Sequence, residues 1–331
     1  MEKMIYGVDL GWAGQLEAMG YRWIDEQGEE TDIVALSKKM GANAVRLRVF
    51  VNPPKEAFWQ KRENETCMLG FCDGEGVLAM AERVKRQGMQ LMVDFHYSDH
   101  FADPLFQDIP AQWKGDSDQE LEKQVAAHTK EILGLLTKHG IYPEWVQVGN
   151  EINNGMMWPK GSLREAPKQL VRFLNAGYDA VKEVCPDSRV ITHLAAVMDD
   201  EQCMPFWENF FAEGGRTDIL GFSYYPYWEQ FDSDKDKLAD KLVEYSEKYR
   251  KPVMIVEAGG PDYDEEGCYK ILTDCIEAMR ELEGQEELGI FYWEPEACSE
   301  ILPDKYPLSA AKVVGEKRLQ YNKALRAYRD Y

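Results

Sequence analysis

Short apolar, β-branched runs alternate eight times with longer segments of helical period, and this repetition constrains the fold more than any other feature of the chain. The runs lie at 5–10, 44–51, 90–95, 145–149, 190–194, 219–222, 253–257 and 289–293, and the helical segments near 32–40, 76–87, 118–139, 163–184, 205–213, 235–249, 264–283 and 316–328. Strand, long connection and strand in regular succession imply parallel pairing, because a tight turn cannot join parallel neighbours. Eight such units in 331 residues predict an α/β fold, a closed (β/α)8 (TIM) barrel forming one domain over 1–331. An open doubly wound sheet would carry a glycine fingerprint after its first strand, and Gly11-Trp12-Ala13-Gly14 is not one. The stretch 58–74 fits neither period.

Charge narrows the partners. With 38 Lys and Arg against 59 Asp and Glu, the net charge is −21, which repels nucleic acid and anionic lipid. Seven scattered Cys form neither a disulfide framework nor a paired zinc motif. The start, MEKMIYGVDLGW, has no basic segment followed by an apolar run, and no run is long enough to span a membrane. The expectation is a cytoplasmic protein with no nucleic acid or membrane partner; removal of an export signal is the alternative. Charge runs such as 281–287 and 232–240 read as solvated helix faces.

In a barrel of this kind chemistry gathers where the strands end and the eight loops meet. The ends read Asp9; Arg46 and Arg48; Asp94 and His96; Asn150 and Glu151; His193; Ser223 and Tyr225; Glu257; and Trp293 with Glu294. Glu151 and Glu257 each terminate an apolar strand, the fourth and the seventh, on opposite sides of one rim. A facing pair of carboxyls is what glycosidic cleavage needs: one protonates the leaving oxygen while the other attacks carbon or activates water. Arg46 and Arg48 share one face of their strand, so at least one reaches the rim. The plainer reading, two surface acids in an acidic chain, is weakened by that position.

The segments RLRVFVNP (46–53), DFHYSDHFADP (94–104), VQVGNEINNGMMWPKG (146–161), GFSYYPYW (221–228), VEAGGP (256–261) and FYWEPE (291–296) together resemble the endo-β-1,4-galactanases of glycoside hydrolase family 53, in clan A of retaining glycosidases. The resemblance implies a (β/α)8 fold, retention of configuration, and cleavage of β-1,4-galactan or its galacto-oligosaccharides. It assigns Glu151 as acid/base, Glu257 as nucleophile and Asn150 as partner of the sugar 2-hydroxyl. It places Arg46 and His96 around the carboxylates, Tyr225 beside the nucleophile and Trp293 under the scissile sugar. Asp94, Ser223, Tyr224 and Trp158 are expected to line the cleft. The segment after Glu296 departs from the family's usual final loop.

No cofactor or metal is expected. His96 and His100 stand four apart, but at a strand end entering a loop, where that spacing does not bring two rings to one face. Rival readings are another clan A glycanase of mannanase or xylanase type, a catalytically silent glycan-binding barrel, and a metal-dependent hydrolase. Trp23 and Trp145 read as core; Trp59, Trp113, Trp207 and Trp228 divide between loop packing and sugar stacking.

Overall fold

The computed structural model describes residues 4–282, 284–285 and 288–331. Eight parallel strands close a barrel: β1 (Ile5–Asp9), β2 (Ala44–Val49), β3 (Gln90–Phe95), β4 (Trp145–Val148), β5 (Arg189–Leu194), β6 (Ile219–Tyr224), β7 (Val253–Ala258) and β8 (Gly289–Tyr292). Each pairs with its chain neighbours, and β1 closes the ring against β8. Helices α1 (Ile33–Lys39), α2 (Gly74–Arg86), α3 (Asp118–Lys138), α4 (Pro167–Val184), α5 (Asp200–Ala212), α6 (Lys235–Tyr249), α7 (Glu265–Arg280) and the short α8 (Ala327–Asp330) follow the strands in turn. Side-chain oxygens start several of them: Ser117 and Glu120 form a reciprocal capping box on α3, and Asp199 caps α5, which begins earlier than its apolar pattern suggests.

Alternate residues of each strand point into the barrel, and along that inner face the chemistry changes. At the lower end Ile5, Ala44, Met92, Trp145, Ile191, Ile219, Met254, Val256 and Phe291 pack as one apolar cluster. Room for it depends on glycine: a Cβ at Gly7 would lie 2.1 Å from the Phe291 ring, and one at Gly221 2.6 Å from Ile191. Further up, the same face carries Arg46, Asp94, Gln147 and His193, each two residues on, and Ser223, four on from Ile219, all buried. The barrel thus has an apolar plug below and a polar floor above it.

Strand β7 breaks the alternation. Ile255 pairs with Phe222 and Glu257 with Ser223, so one extra residue, Val256, is inserted opposite β6. This bulge lets Val256 and Glu257 both face inward, whereas strict alternation from Met254 would send Glu257 out to the helices.

The excursions differ from the sequence expectation in two places. The unassigned stretch is an antiparallel hairpin, Phe58–Arg62 with Glu65–Met68. The helix expected at 316–328 is largely strand: Arg318–Tyr321 pairs with Ala311–Gly315 and with Arg22–Ile24, and only Ala324–Arg326 and α8 are helical. Alternating exposure along Arg318–Tyr321, with Leu319 and Tyr321 buried, suits a strand, and a free edge at Arg22–Ile24 accepts it. Glu283, Glu286 and Glu287, part of an expected helix end and charge run, lie outside the described residues.

Candidate active site

Arg46 organises the polar floor. Only 1% exposed, it directs Nη1 to Asp9 Oδ2 (3.1 Å) and Glu257 Oε1 (2.9 Å). Its Nη2 reaches Asp94 Oδ2 and Asn150 Oδ1, each at 2.9 Å, and Nε reaches Gln147 Oε1 at 3.2 Å. One cation faces three carboxylates, and they hold its pKa above the usual arginine value although burial alone opposes the charge. Its neighbour Arg48 is spent elsewhere on the rim: it pairs with Glu294, which also accepts from the Gly11 and Trp12 amides, and donates to the Leu69 carbonyl. Both arginines therefore face the rim, and Arg46 is the one that meets the candidate carboxylates.

Glu257 lies buried beside that cation. Its Oε2 accepts a 3.0 Å hydrogen bond from the Tyr225 hydroxyl, and its Oε1 meets Arg46 as an ion pair out of line for a hydrogen bond. Among the described residues no cation touches Glu151; its Oε1 is 2.7 Å from Ser223 Oγ, which is 2.8 Å from His193 Nε2. Burial raises both carboxyl pKa values, and the two differ in what opposes it. For Glu257, Arg46 and Tyr225 pull back toward the anion. For Glu151, the Glu257 charge adds to the rise, against which stand the Ser223 hydrogen bond and the Arg46 charge, and Glu151 is held well above the ordinary carboxylate range. Of the pair, Glu257 ionises first.

An oxygen of Glu151, an oxygen of Glu257 and a ring nitrogen of His193 all lie within 4.8 Å of one another, the one such set of potential metal ligands among the described residues. Both nitrogens of His193 already face protein hydrogen-bonding groups. Burial and the Arg46 charge lower its pKa well below the usual histidine value, so the ring is neutral. Glu151 itself adopts a left-handed backbone, φ 48°, two residues after Gly149 at φ 85°. For a residue with a Cβ this costs about 1–2 kcal/mol, and such strain concentrates where a side chain must be aimed.

The other expected residues divide. Asn150 is in place, its Oδ1 on Arg46 and its Nδ2 donating to the Ala102 carbonyl at 2.8 Å. His96 accepts from the Ala102 amide through Nδ1, leaving Nε2 2.9 Å from Asp94 though out of line for a hydrogen bond. Trp293 shares an apolar cluster with Tyr225 and Leu308 beside Glu257. Two expected cleft-lining residues need correction. Asp94 is wholly buried beneath Arg46, His96 and Gln147, so it braces the floor and does not line the cleft. Tyr224, one residue from Ser223, points to the opposite face of β6, where its hydroxyl meets Ser233 and the Asp234 amide. Trp158, on the loop that follows Glu151, lines a hollow of about 540 Å³ with Asn154 and Arg164. His96 and His100 diverge, the latter stacked on Trp59 at 3.9 Å.

Sequence reading missed Gln147, His193 as a partner of the site, and Tyr306. Gln147 and His193 had a signal: polar residues inside otherwise apolar strands, on the inward parity. Tyr306 had none, because it arrives from the divergent late segment to pack against the cluster of Tyr225 and Trp293, within electrostatic reach of both carboxylates.

Comparison with known proteins agrees with this geometry. The model of the family described as "Glycosyl hydrolase family 53" matches residues 5–327. A Niallia circulans protein, described as an uncharacterized protein in the bgaB 5′ region, is 33% identical over 89% of this chain and 84% of its own length. The arabinogalactan endo-beta-1,4-galactanase of Cellvibrio japonicus is 30% identical over 87% of this chain and 79% of its own. The solved GH53 catalytic domain of Ignisphaera aggregans superposes with a TM-score of 0.84 at 28% identity, covering 98% of this chain and 95% of that one. A carboxylate pair, Glu257 buried and Glu151 partly exposed, at the strand ends of a closed parallel barrel matched in sequence over nearly its full length leaves one conclusion: the chain belongs to glycosyl hydrolase family 53 and is a glycosidase.

Proposed function

We propose that the protein hydrolyses β-1,4-galactosidic linkages, in galactan or derived galacto-oligosaccharides, by double displacement. The carrying observation is the closeness of the two carboxyls, with atoms within 4.8 Å. Retaining enzymes hold the pair about 5–5.5 Å apart, whereas inverting enzymes need about 6.5–9.5 Å to admit water between sugar and base. Glu257, ionised beside Arg46, attacks the anomeric carbon. Glu151, kept protonated by burial, gives its proton to the leaving oxygen and then takes one from the water that cleaves the glycosyl ester. Asn150, fixed by Arg46, presents its amide next to Glu151, where a sugar 2-hydroxyl would bind. The galactan specificity rests on the relatives, such as the Cellvibrio japonicus enzyme.

Incubation with β-1,4-galactan, galactotetraose, mannan and xylan tests this. Galactose-containing products should appear, with the β-anomer first by proton NMR. First appearance of the α-anomer would sink the double displacement. Release from mannan or xylan but from neither galactan substrate would move the specificity to another clan A glycanase.

We infer further that the chain works in a reducing compartment, the cytoplasm, on imported oligosaccharides. Its seven thiols are all buried and unpaired, which suits such a compartment. Recovery of the native protein from culture medium and not from cells would overturn this.

A further inference from the structure

Ser223 has one hydrogen and two claimants. Its Oγ lies 2.7 Å from Glu151 Oε1 and 2.8 Å from His193 Nε2, and all of Ser223 and His193 is buried. Which way the hydroxyl points depends on which nitrogen of the neutral ring carries the proton. The ionised form of Glu151 decides that, because a carboxylate only accepts: the Ser223 hydrogen goes to Glu151 Oε1, and the ring nitrogen 2.8 Å from the same hydroxyl, Nε2, must then carry the N–H that Ser223 accepts. The far side of the ring is compatible with that tautomer. Gln147 cannot be flipped, because its Oε1 accepts from Arg46 Nε; of the two hydrogens on its Nε2 one goes to Asp94 Oδ1 at 2.5 Å, and the other, for which Gly149 O and Asn150 Oδ1 also compete, is in reach of His193 Nδ1 at 3.1 Å. Asn150 Oδ1 lies 3.0 Å from Nδ1 but already accepts from Arg46 Nη2 at 2.9 Å, so it makes no demand for a ring N–H.

We propose that Ser223, oriented by His193 and Gln147, is a positioning residue that reserves Glu151 Oε1 as a permanent acceptor and so places the acid proton on Oε2. The inference rests on the reading of Glu151 as acid/base. In the first half-reaction the O–H of Ser223 meets the carbonyl-type oxygen of the acid. After Glu151 has lost its proton, the same bond meets the carboxylate. In the second half-reaction water returns a proton to Oε2. No group on the chain from Gln147 to Ser223 needs to rotate or change tautomer during turnover, and each proton that moves passes only between Oε2 and substrate or water. With the opposite tautomer Ser223 would donate to His193, and the acid proton would be drawn to Oε1, toward the protein wall.

Two measurements test this. The first compares kcat/KM on galactotetraose, whose leaving group needs a proton, with a 2,4-dinitrophenyl β-galactobioside, whose leaving group departs without one. Ser223→Ala should lose on the order of 10–100-fold on the tetraose, a fraction of the full worth of a general acid, and under about threefold on the aryl substrate. The alkaline limb on the tetraose should also move up, since the carboxylate has lost its donor. Should the alanine variant fail to fold, Ser223→Cys, with a weaker donor of similar size, should show a smaller loss with the same selectivity. Equal losses on both substrates with an unmoved alkaline limb would overturn the proposal. The second is the 15N spectrum of histidine-labelled protein, with the His193 signal identified by its disappearance in His193→Gln. A neutral ring protonated at Nε2 is expected, and protonation at Nδ1 would overturn the proposal. Glu151→Gln is the control: if it shows no selective loss on the tetraose, the acid/base reading itself has failed, whereas selectivity in Glu151→Gln but not in Ser223→Ala condemns the relay alone.

Discussion

Glu257 and Glu151 stand within one sugar's reach of each other, yet opposite surroundings hold them. Glu257 sits against a buried guanidinium and a tyrosine hydroxyl, so its charge is balanced where it is made. Glu151 sits against a serine, touches no cation among the described residues, and feels the Glu257 charge. The chemistry assigned to them needs that inequality, since identical surroundings would leave the proton shared between them. The protein creates the difference by placing Arg46 on the β7 side of the pair, shared among Asp9, Asp94 and Glu257.

Removing the charged member should cost most. Glu257→Gln is expected to lower kcat on galactotetraose by about 10⁴-fold or more, because no covalent intermediate can form. A loss under about tenfold would mean that the nucleophile lies elsewhere. Glu151→Gln should cost on the order of 10²–10⁴-fold on the same substrate. Comparable rates with wild type would break the assignment of the acid.

Arg46→Met tests what makes the two sides unequal. Three buried carboxylates would lose their shared partner, and breaking such an arrangement costs about 3–5 kcal/mol. Urea unfolding at neutral pH should report it, and a change below about 1 kcal/mol would show that Arg46 does not hold the floor together.

The pH profile gives a finer comparison. The working state is Glu257 ionised with Glu151 protonated, so activity falls as pH drops through the Glu257 pKa and again as pH rises through that of Glu151. Burial raises both, so both limbs should lie above the ordinary carboxylate range, the alkaline limb further above it. Tyr225→Phe is the smallest expected effect. It removes a donor that lowers the Glu257 pKa, so the acid limb should move upward. A downward move would reverse the assignment of the anion.

Much of the barrel was legible because its signals are local. Eight apolar runs separated by helical segments are a property of the one-dimensional chain, and Glu151 and Glu257 stood out by ending two of them. Adjacent residues of β6 show where reading stopped short: Ser223 and Tyr224 were both placed in the cleft, although a period of two allows only one of two neighbours to face it. The same parity singles out Gln147 and His193. Beyond that lie features no local pattern carries. The C-terminal segment pairs as a strand because a partner edge 296 positions away in sequence receives it, with Arg318 against Arg22.

By itself the sequence determined the eightfold repeat, the inner face that turns from apolar to polar along strands such as β2 to β5, and the identity of the two carboxyls. Tertiary structure decided where those carboxyls point and how they differ. Glu257 reaches the cleft because β7 carries one more residue than β6 between the same pairings, and a bulge is a relation between two strands, invisible in either alone. Likewise the separation of the two pKa values depends on a cation from β2 meeting an acid from β7 while a serine from β6 meets one from β4. Electrostatic energy follows distance through space, and closing the barrel sets those distances.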